Sequence, residues 1–134
     1  DYRLDNMILK NNEVVGILDW ELSTLGHPIA DFSYHCLSWR TQEAFWDEAK
    51  LKELGIPSER EYMEMYCENS GKDLSKNWEF YMAFNMFKIA GILQGILGRV
   101  RDGTAASKHA EERGNMVFPL SEAAWSTIEE NFLK

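Results

Sequence analysis

The chain has 134 residues, 45% of them apolar and 27% charged, which is the balance of a soluble globular chain long enough to bury a core. A formal net charge of −8 argues against a general nucleic-acid binder, since phosphate backbones are held by clustered Lys and Arg, but it leaves a metal-bridged nucleotide open as ligand. Two cysteines, Cys36 and Cys67, are too few for a disulfide framework and read as reduced thiols in a cytoplasmic protein.

In chain order, MILK (7–10) and EVVGILDW (13–20) are apolar and β-branched, with Asn11-Asn12 between them. Asparagine tolerates positive φ, so the spacing predicts a β-hairpin. ELSTLGHP is a loop punctuated by Gly26 and Pro28. From Pro28, PIADFSYHCLSW carries Ile29, Phe32, Cys36 and Leu37 on one side and reads as a helix. A charged helix is expected over 43–54, stopping at Gly55-Ile56-Pro57. Ser58 and Glu61 have the spacing of a capping box for the next helix, whose acidic run over 59–68 reads as a solvated face. Ser75 is expected to begin a long helix ending near Gly103, in which Gly91, Gly95 and Gly98 suit close packing. Its apolar stretch 80–98 approaches the length of a bilayer span, but Asn85, Lys88 and Gln94 interrupt it, and a core helix explains it better. TAASKHAEERGN is ambiguous. The tail from Pro119 is amphipathic, with Leu120, Ala124, Ile128 and Phe132 or Leu133 on one side. No repeat or linker interrupts this order. The expected fold is mainly α with one small β-hairpin.

The chemistry sits at the start. A hairpin brings the residues before its first strand close to those after its second, so Asp1, Asn6 and Asp19 are expected to converge at one end. Two carboxylates and a carboxamide oxygen are hard ligands of the kind Mg²⁺ uses, with substrate phosphates completing its shell. Glu21 adds a carboxylate on the same side as Asp19 if the strand persists. Phosphoryl transfer needs such a set: one Asp to accept the proton of the attacking hydroxyl, and an Asn and an Asp to hold metal against the phosphates. Trp20, Trp78, Tyr81, Phe84 and Phe87 read as core or pocket wall. His27 and His109 have no partner at zinc spacing.

Asp1-x4-Asn6, a hairpin and then ILDWE resemble the catalytic and metal segments of the aminoglycoside phosphotransferase and choline kinase superfamily, which shares the protein-kinase-like α+β fold. The whole run DYRLDNMILKNNEVVGILDWELSTLGHPIADFSYHCL is most similar to kinase-like domains related to those fused to acyl-CoA dehydrogenases, as is FNMFKIAGILQGILGRVRDGTA later on. That family's pattern usually begins His-Gly-Asp or His-Asn-Asp, whereas this chain starts at the Asp. The resemblance implies a catalytic lobe, residues 1–134 forming its C-terminal portion, with the nucleotide-binding lobe expected to lie elsewhere. It implies that Asp1 is the catalytic base, that Asn6 and Asp19 ligate Mg²⁺, and that Glu21 lies near a second metal. Asp31 would be a buried acid supporting the catalytic loop by accepting backbone hydrogen bonds. His35 and Trp39, a turn apart, are candidates for the acceptor pocket. ATP would be the co-substrate and a small hydroxylated molecule the acceptor: a hydroxy acid or hydroxyacyl compound first, choline or an aminoglycoside as alternatives. Neither nucleic acid nor membrane is an expected partner, while a homodimer is compatible with the reading. The rival reading is a non-catalytic module that keeps the lobe's fold.

Overall fold

Asn11 and Asn12 both take positive φ, 52° and 63°, the signs of a type I′ turn, whose twist matches paired strands. The computed structural model describes residues 2–21, 23–41, 48–74 and 76–134. The turn joins β1 (Met7–Lys10) to β2 (Glu13–Ile17) as an antiparallel pair, with Met7 opposite Ile17 and Lys10 opposite Glu13. Ile8 faces Gly16 but Leu9 faces Val14, so Val15 is an extra residue and bulges the second strand. β2 stops three residues short of the expected end at Trp20. The reason is local: Asp19 adopts φ 62°, a left-handed conformation that cannot continue an extended strand. Trp20, expected in the core or a pocket wall, is 63% exposed and donates its indole N–H to the Ile17 carbonyl at 2.7 Å.

The chain forms two compact units, residues 1–76 and 77–134. In the first, α1 (Pro28–His35) starts on its proline and runs into a 3₁₀ turn over Cys36–Trp39, together covering the expected helix. The predicted stripe of Ile29, Phe32, Cys36 and Leu37 is buried. α2 (Glu48–Glu53) lies within the expected charged helix, whose residues 43–47 fall outside the described ones. It ends at Gly55, φ 70°, where Ile56 N–H reaches back to the Leu51 carbonyl and Gly55 N–H to that of Lys52, the paired bonds of a Schellman stop. The capping box forms at the start of α3 (Glu59–Ser70): Glu61 N–H donates to Ser58 Oγ at 3.3 Å, and Ser58 N–H donates to Glu61 Oε2 at 2.8 Å. That backbone donor, with the Ser58 hydroxyl, holds the Glu61 carboxyl below the usual carboxylate range.

The acidic run on α3 is solvated as expected at Glu61, Glu64 and Glu68, and Glu59 at its start is half-buried. Arg40 grips Glu59 as a fork, Nε at 3.0 and 2.8 Å from the two carboxylate oxygens and Nη2 at 2.7 Å, which ties the 3₁₀ turn to the start of α3. Between α1 and α3, Phe32 stacks on Tyr66 at 3.9 Å and the Trp39 ring stacks on Tyr62 at 5.3 Å. Cys36 lies under this packing, fully buried, and burial, aided by the nearby Glu59 carboxylate, pushes its thiol up to about 12. A raised thiol pKa stabilises the fold fully below the thiol's ordinary value, and that contribution is lost as pH rises toward about 12. At neutral pH iodoacetamide is therefore expected to label Cys67, which is half-buried, well before Cys36. Mass spectrometry of the native protein checks this, and equal labelling of both thiols would contradict it.

In the second unit, α4 (Trp78–Arg101) begins three residues later than the expected Ser75, which itself lies outside the described residues. Asn77 at φ 66° immediately precedes it and cannot be helical. The expected stop at Gly103, φ 69°, is present. By length and composition α4 could cross a membrane; its Trp78, Met82, Asn85, Met86 and Ala90 are buried in the structure. The ambiguous segment after it contains α5 (Ala110–Asn115), followed by α6 (Val117–Phe132). Pro119 falls in the first turn of α6, where its missing N–H breaks no helical bond. α4 packs on both α5 and α6, burying Ala110, Val117, Leu120 and Ala124; the expected stripe fades beyond half-buried Ile128 to exposed Phe132 and Leu133.

One expectation about packing is corrected. A Cβ added at Gly91 or Gly98 would meet nothing within 4 Å, and at Gly95 only the end of Arg99 at 3.9 Å. These glycines face open space among the described residues. The close approach is at Gly114, where an added Cβ would lie 2.5 Å from Leu97 Cδ2.

Candidate functional site

The hairpin's backbone pairing continues one step past its strands. Leu18 N–H donates to the Asn6 carbonyl at 2.8 Å, so Asn6 lies opposite the residue next to Asp19. Asn6 closes a short 3₁₀ turn, Leu4–Asn6, whose Asn6 N–H donates to the Arg3 carbonyl at 2.9 Å. Asn6 and Asp19 thus stand at the open end of the hairpin. Asp1, the third member of the expected set, lies outside the described residues, although its neighbour Tyr2 is described.

Asp19 is exposed and its left-handed φ of 62° turns the chain away from the strand. Asp is one of the few side chains that tolerate that region, and such residues cluster where a site demands them. Glu21 was expected on Asp19's side by strand alternation. With β2 ended at Ile17, alternation no longer applies, and Glu21 sits exposed in a turn. No cluster of three or more His, Cys, Asp or Glu side chains is gathered for a metal among the described residues. The donor chemistry still suits Mg²⁺, which is held by one or two protein oxygens together with phosphates and water. Asn6 and Asp19 supply such a pair.

Asp31 occupies the first turn of α1 but is exposed, not buried as the resemblance implied. The reason is helical periodicity: Ile29, Phe32, Ser33 and Cys36 form the inward stripe, and Asp31 falls beside it. It borders a cleft of about 370 Å³ lined mainly by Tyr2, Phe32, His35, Tyr62 and Tyr66. His35 is part of this wall. Trp39 is not; it stacks beneath Tyr62 and donates its N–H to the Pro57 carbonyl at 3.1 Å. Tyr2, Tyr62 and Tyr66 were missed in the sequence. Tyr62 and Tyr66 are four apart on α3, the spacing of one helix face, but the surrounding glutamates masked that signal.

A second hollow, about 380 Å³, lies between α4 and α6, walled by Phe80, Phe84, Phe87, Trp125 and Ile128. Its polar member, Ser121, donates its hydroxyl to the Val117 carbonyl. Its lining offers no acid, base or metal ligand.

A family model described as "Phosphotransferase enzyme family" matches residues 1–66, the segment that holds the hairpin, α1 and the start of α3. The chain is 43% identical over 132 residues to acyl-CoA dehydrogenase family member 10 of Mus musculus, covering 93% of this chain and 12% of that protein. It is 36% identical over 138 residues to acyl-CoA dehydrogenase family member 11 of Homo sapiens, covering 98% of this chain and 18% of that protein. A probable acyl-CoA dehydrogenase of Arabidopsis thaliana is 37% identical, with 96% of this chain covered and 17% of that protein. The chain therefore spans less than a fifth of the length of these relatives. No solved structure matches.

Proposed function

We propose that this chain, which belongs through residues 1–66 to the phosphotransferase enzyme family, is the acceptor-side portion of an ATP-dependent small-molecule kinase. The observation that carries the reading is the Leu18–Asn6 backbone bond, which sets Asn6 beside Asp19 at the open end of the hairpin, with Asp1 five residues upstream of Asn6. In this reading Asp1 orients the acceptor hydroxyl and takes its proton, while Asn6 and Asp19 hold Mg²⁺. When bound, Mg²⁺ bridges the phosphates and offsets their charge during transfer. Glu21 and Asp31 have lesser parts. Glu21 is an exposed carboxylate two residues from a ligand, and Asp31 borders the cleft. The donor phosphates need a Gly-rich covering loop, and that motif does not occur in residues 1–134. The relatives' names refer to acyl-CoA, which makes hydroxylated acyl compounds the first acceptors to try.

The test is ADP release from Mg·ATP by a protein carrying these residues behind a nucleotide-binding lobe, screened against hydroxy acids, hydroxyacyl-CoA compounds, choline and aminoglycosides. ADP release that depends on one acceptor class and on Mg²⁺, and that Asp19→Asn abolishes, is the expected result. No release with any acceptor would favour a non-catalytic module. Residues 1–134 alone are expected to bind Mg·ATP more weakly than micromolar by calorimetry.

A further inference from the structure

Asp19 lies among three hydrogen bonds. Before it, Leu18 N–H donates to the Asn6 carbonyl at 2.8 Å, one step beyond the paired strands. After it, Ser23 N–H donates to the Trp20 carbonyl at 2.9 Å. Across it, the Trp20 indole N–H donates to the Ile17 carbonyl at 2.7 Å. This third bond closes a ring of atoms that contains both backbone torsions of Asp19. It therefore bears directly on the left-handed φ of 62° found there.

Ile17 is the last residue of β2. In a tight turn the backbone N–H three residues on often returns to such a carbonyl; here a side-chain N–H reaches it instead. Indole has this one donor and no acceptor, so the bond fixes which edge of the ring faces the chain. The side chain is 63% exposed, so burial does little to hold it, and the N–H is what separates Trp20 from Phe in this setting. A left-handed backbone costs a non-glycine residue free energy, less for Asp than for most, and one hydrogen bond offsets a cost of that order.

We infer that Trp20 is a positioning residue for Asp19: its indole N–H clamps the Ile17 carbonyl and keeps Asp19 in the left-handed turn that ends the hairpin beside Asn6. The role of Asp19 as a metal ligand rests on the kinase reading above, whereas the clamp does not. Without the clamp, Asp19 spends part of its time in extended conformations. Metal affinity then falls by the fraction of chains still in the competent turn, while the rate of the loaded enzyme is kept.

Trp20→Phe keeps an aromatic ring, and with it any stacking contact, but has no N–H to donate. In residues 1–134, NMR couplings at Asp19 should report positive φ in the wild type and an average with negative φ in Trp20→Phe. Asn11 and Asn12 should keep their positive φ in both. In a protein with both lobes, calorimetry should find Mg·ATP binding weakened about twofold to tenfold in Trp20→Phe. At saturating Mg·ATP, kcat for ADP release with water as acceptor should stay within about twofold of wild type. An Asp19 φ that stays fully positive in Trp20→Phe would overturn the proposal, as would unchanged Mg·ATP affinity or a fall in kcat alone. The wild type decides if the variant fails to fold: a Trp20 indole proton that exchanges as fast as that of free tryptophan rules the clamp out. Asp19→Asn run alongside separates the two readings. If it binds Mg·ATP as tightly as wild type, the kinase reading fails; if it binds weakly while Trp20→Phe binds normally, only the positioning role fails.

Discussion

Replacing Asp1 by Asn in a protein that carries both lobes is expected to lower kcat by roughly a hundredfold to ten-thousandfold, the range lost with a general base. The affinity for Mg·ATP should change little, because in the proposed reading Asp1 acts on the acceptor hydroxyl and not on the nucleotide. Asn is nearly isosteric but cannot take a proton, so packing is preserved while the chemistry is removed. Asp19→Asn should behave differently. In the proposed reading its carboxylate is a charged metal ligand, and the loss should appear in Mg·ATP binding as well as in turnover. Asn also tolerates the left-handed φ of 62° at position 19, so the backbone there is not the cause of any defect. Steady-state kinetics with calorimetry for each variant separates the two patterns. Near-wild-type rates for both would remove these residues from the chemistry.

Gly114→Val is expected to cause the largest loss of stability among single substitutions outside the site. An added Cβ lies 2.5 and 2.6 Å from Leu97 Cδ2 and Cγ, and 3.3 Å from the Leu97 backbone nitrogen. The side chain of Leu97 can swing only so far before the α4 backbone itself must move. Overpacking of this kind costs about 1–3 kcal/mol, and Val adds bulk without the helix propensity that Ala would bring. A drop in Tm of roughly 5 °C or more follows for a chain of this size. Gly95→Ala should act in the opposite direction. Its Cβ meets only the tip of Arg99, so the helix gains about 0.5–1 kcal/mol from lower backbone entropy in the unfolded chain. Thermal or urea unfolding of both variants tests the pair, and a stabilised Gly114 variant would sink the account of α5 packing.

Much of this molecule was decided by its sequence alone, wherever the cause lies within a few residues. Asn11-Asn12 set the hairpin turn because both tolerate positive φ. Ser58 and Glu61 close a capping box three residues apart. Ile29, Phe32, Cys36 and Leu37 share one helical stripe and are buried together. The backbone pairing of Asn6 with Leu18, the residue before Asp19, follows from the same local logic, since a tight hairpin leaves its two ends nowhere else to go. Only the folded structure showed what depends on distant partners or on a local break in periodicity. The left-handed Asp19 ended β2 early and removed the alternation argument for Glu21. Gly114 is constrained and Gly95 is not, because only Gly114 faces another helix closely. His35 meets a carbonyl 33 residues before it and a hydroxyl 27 residues after it. No periodicity spans such separations, because they are set by how α1 and α3 pack, and packing is a property of the folded chain.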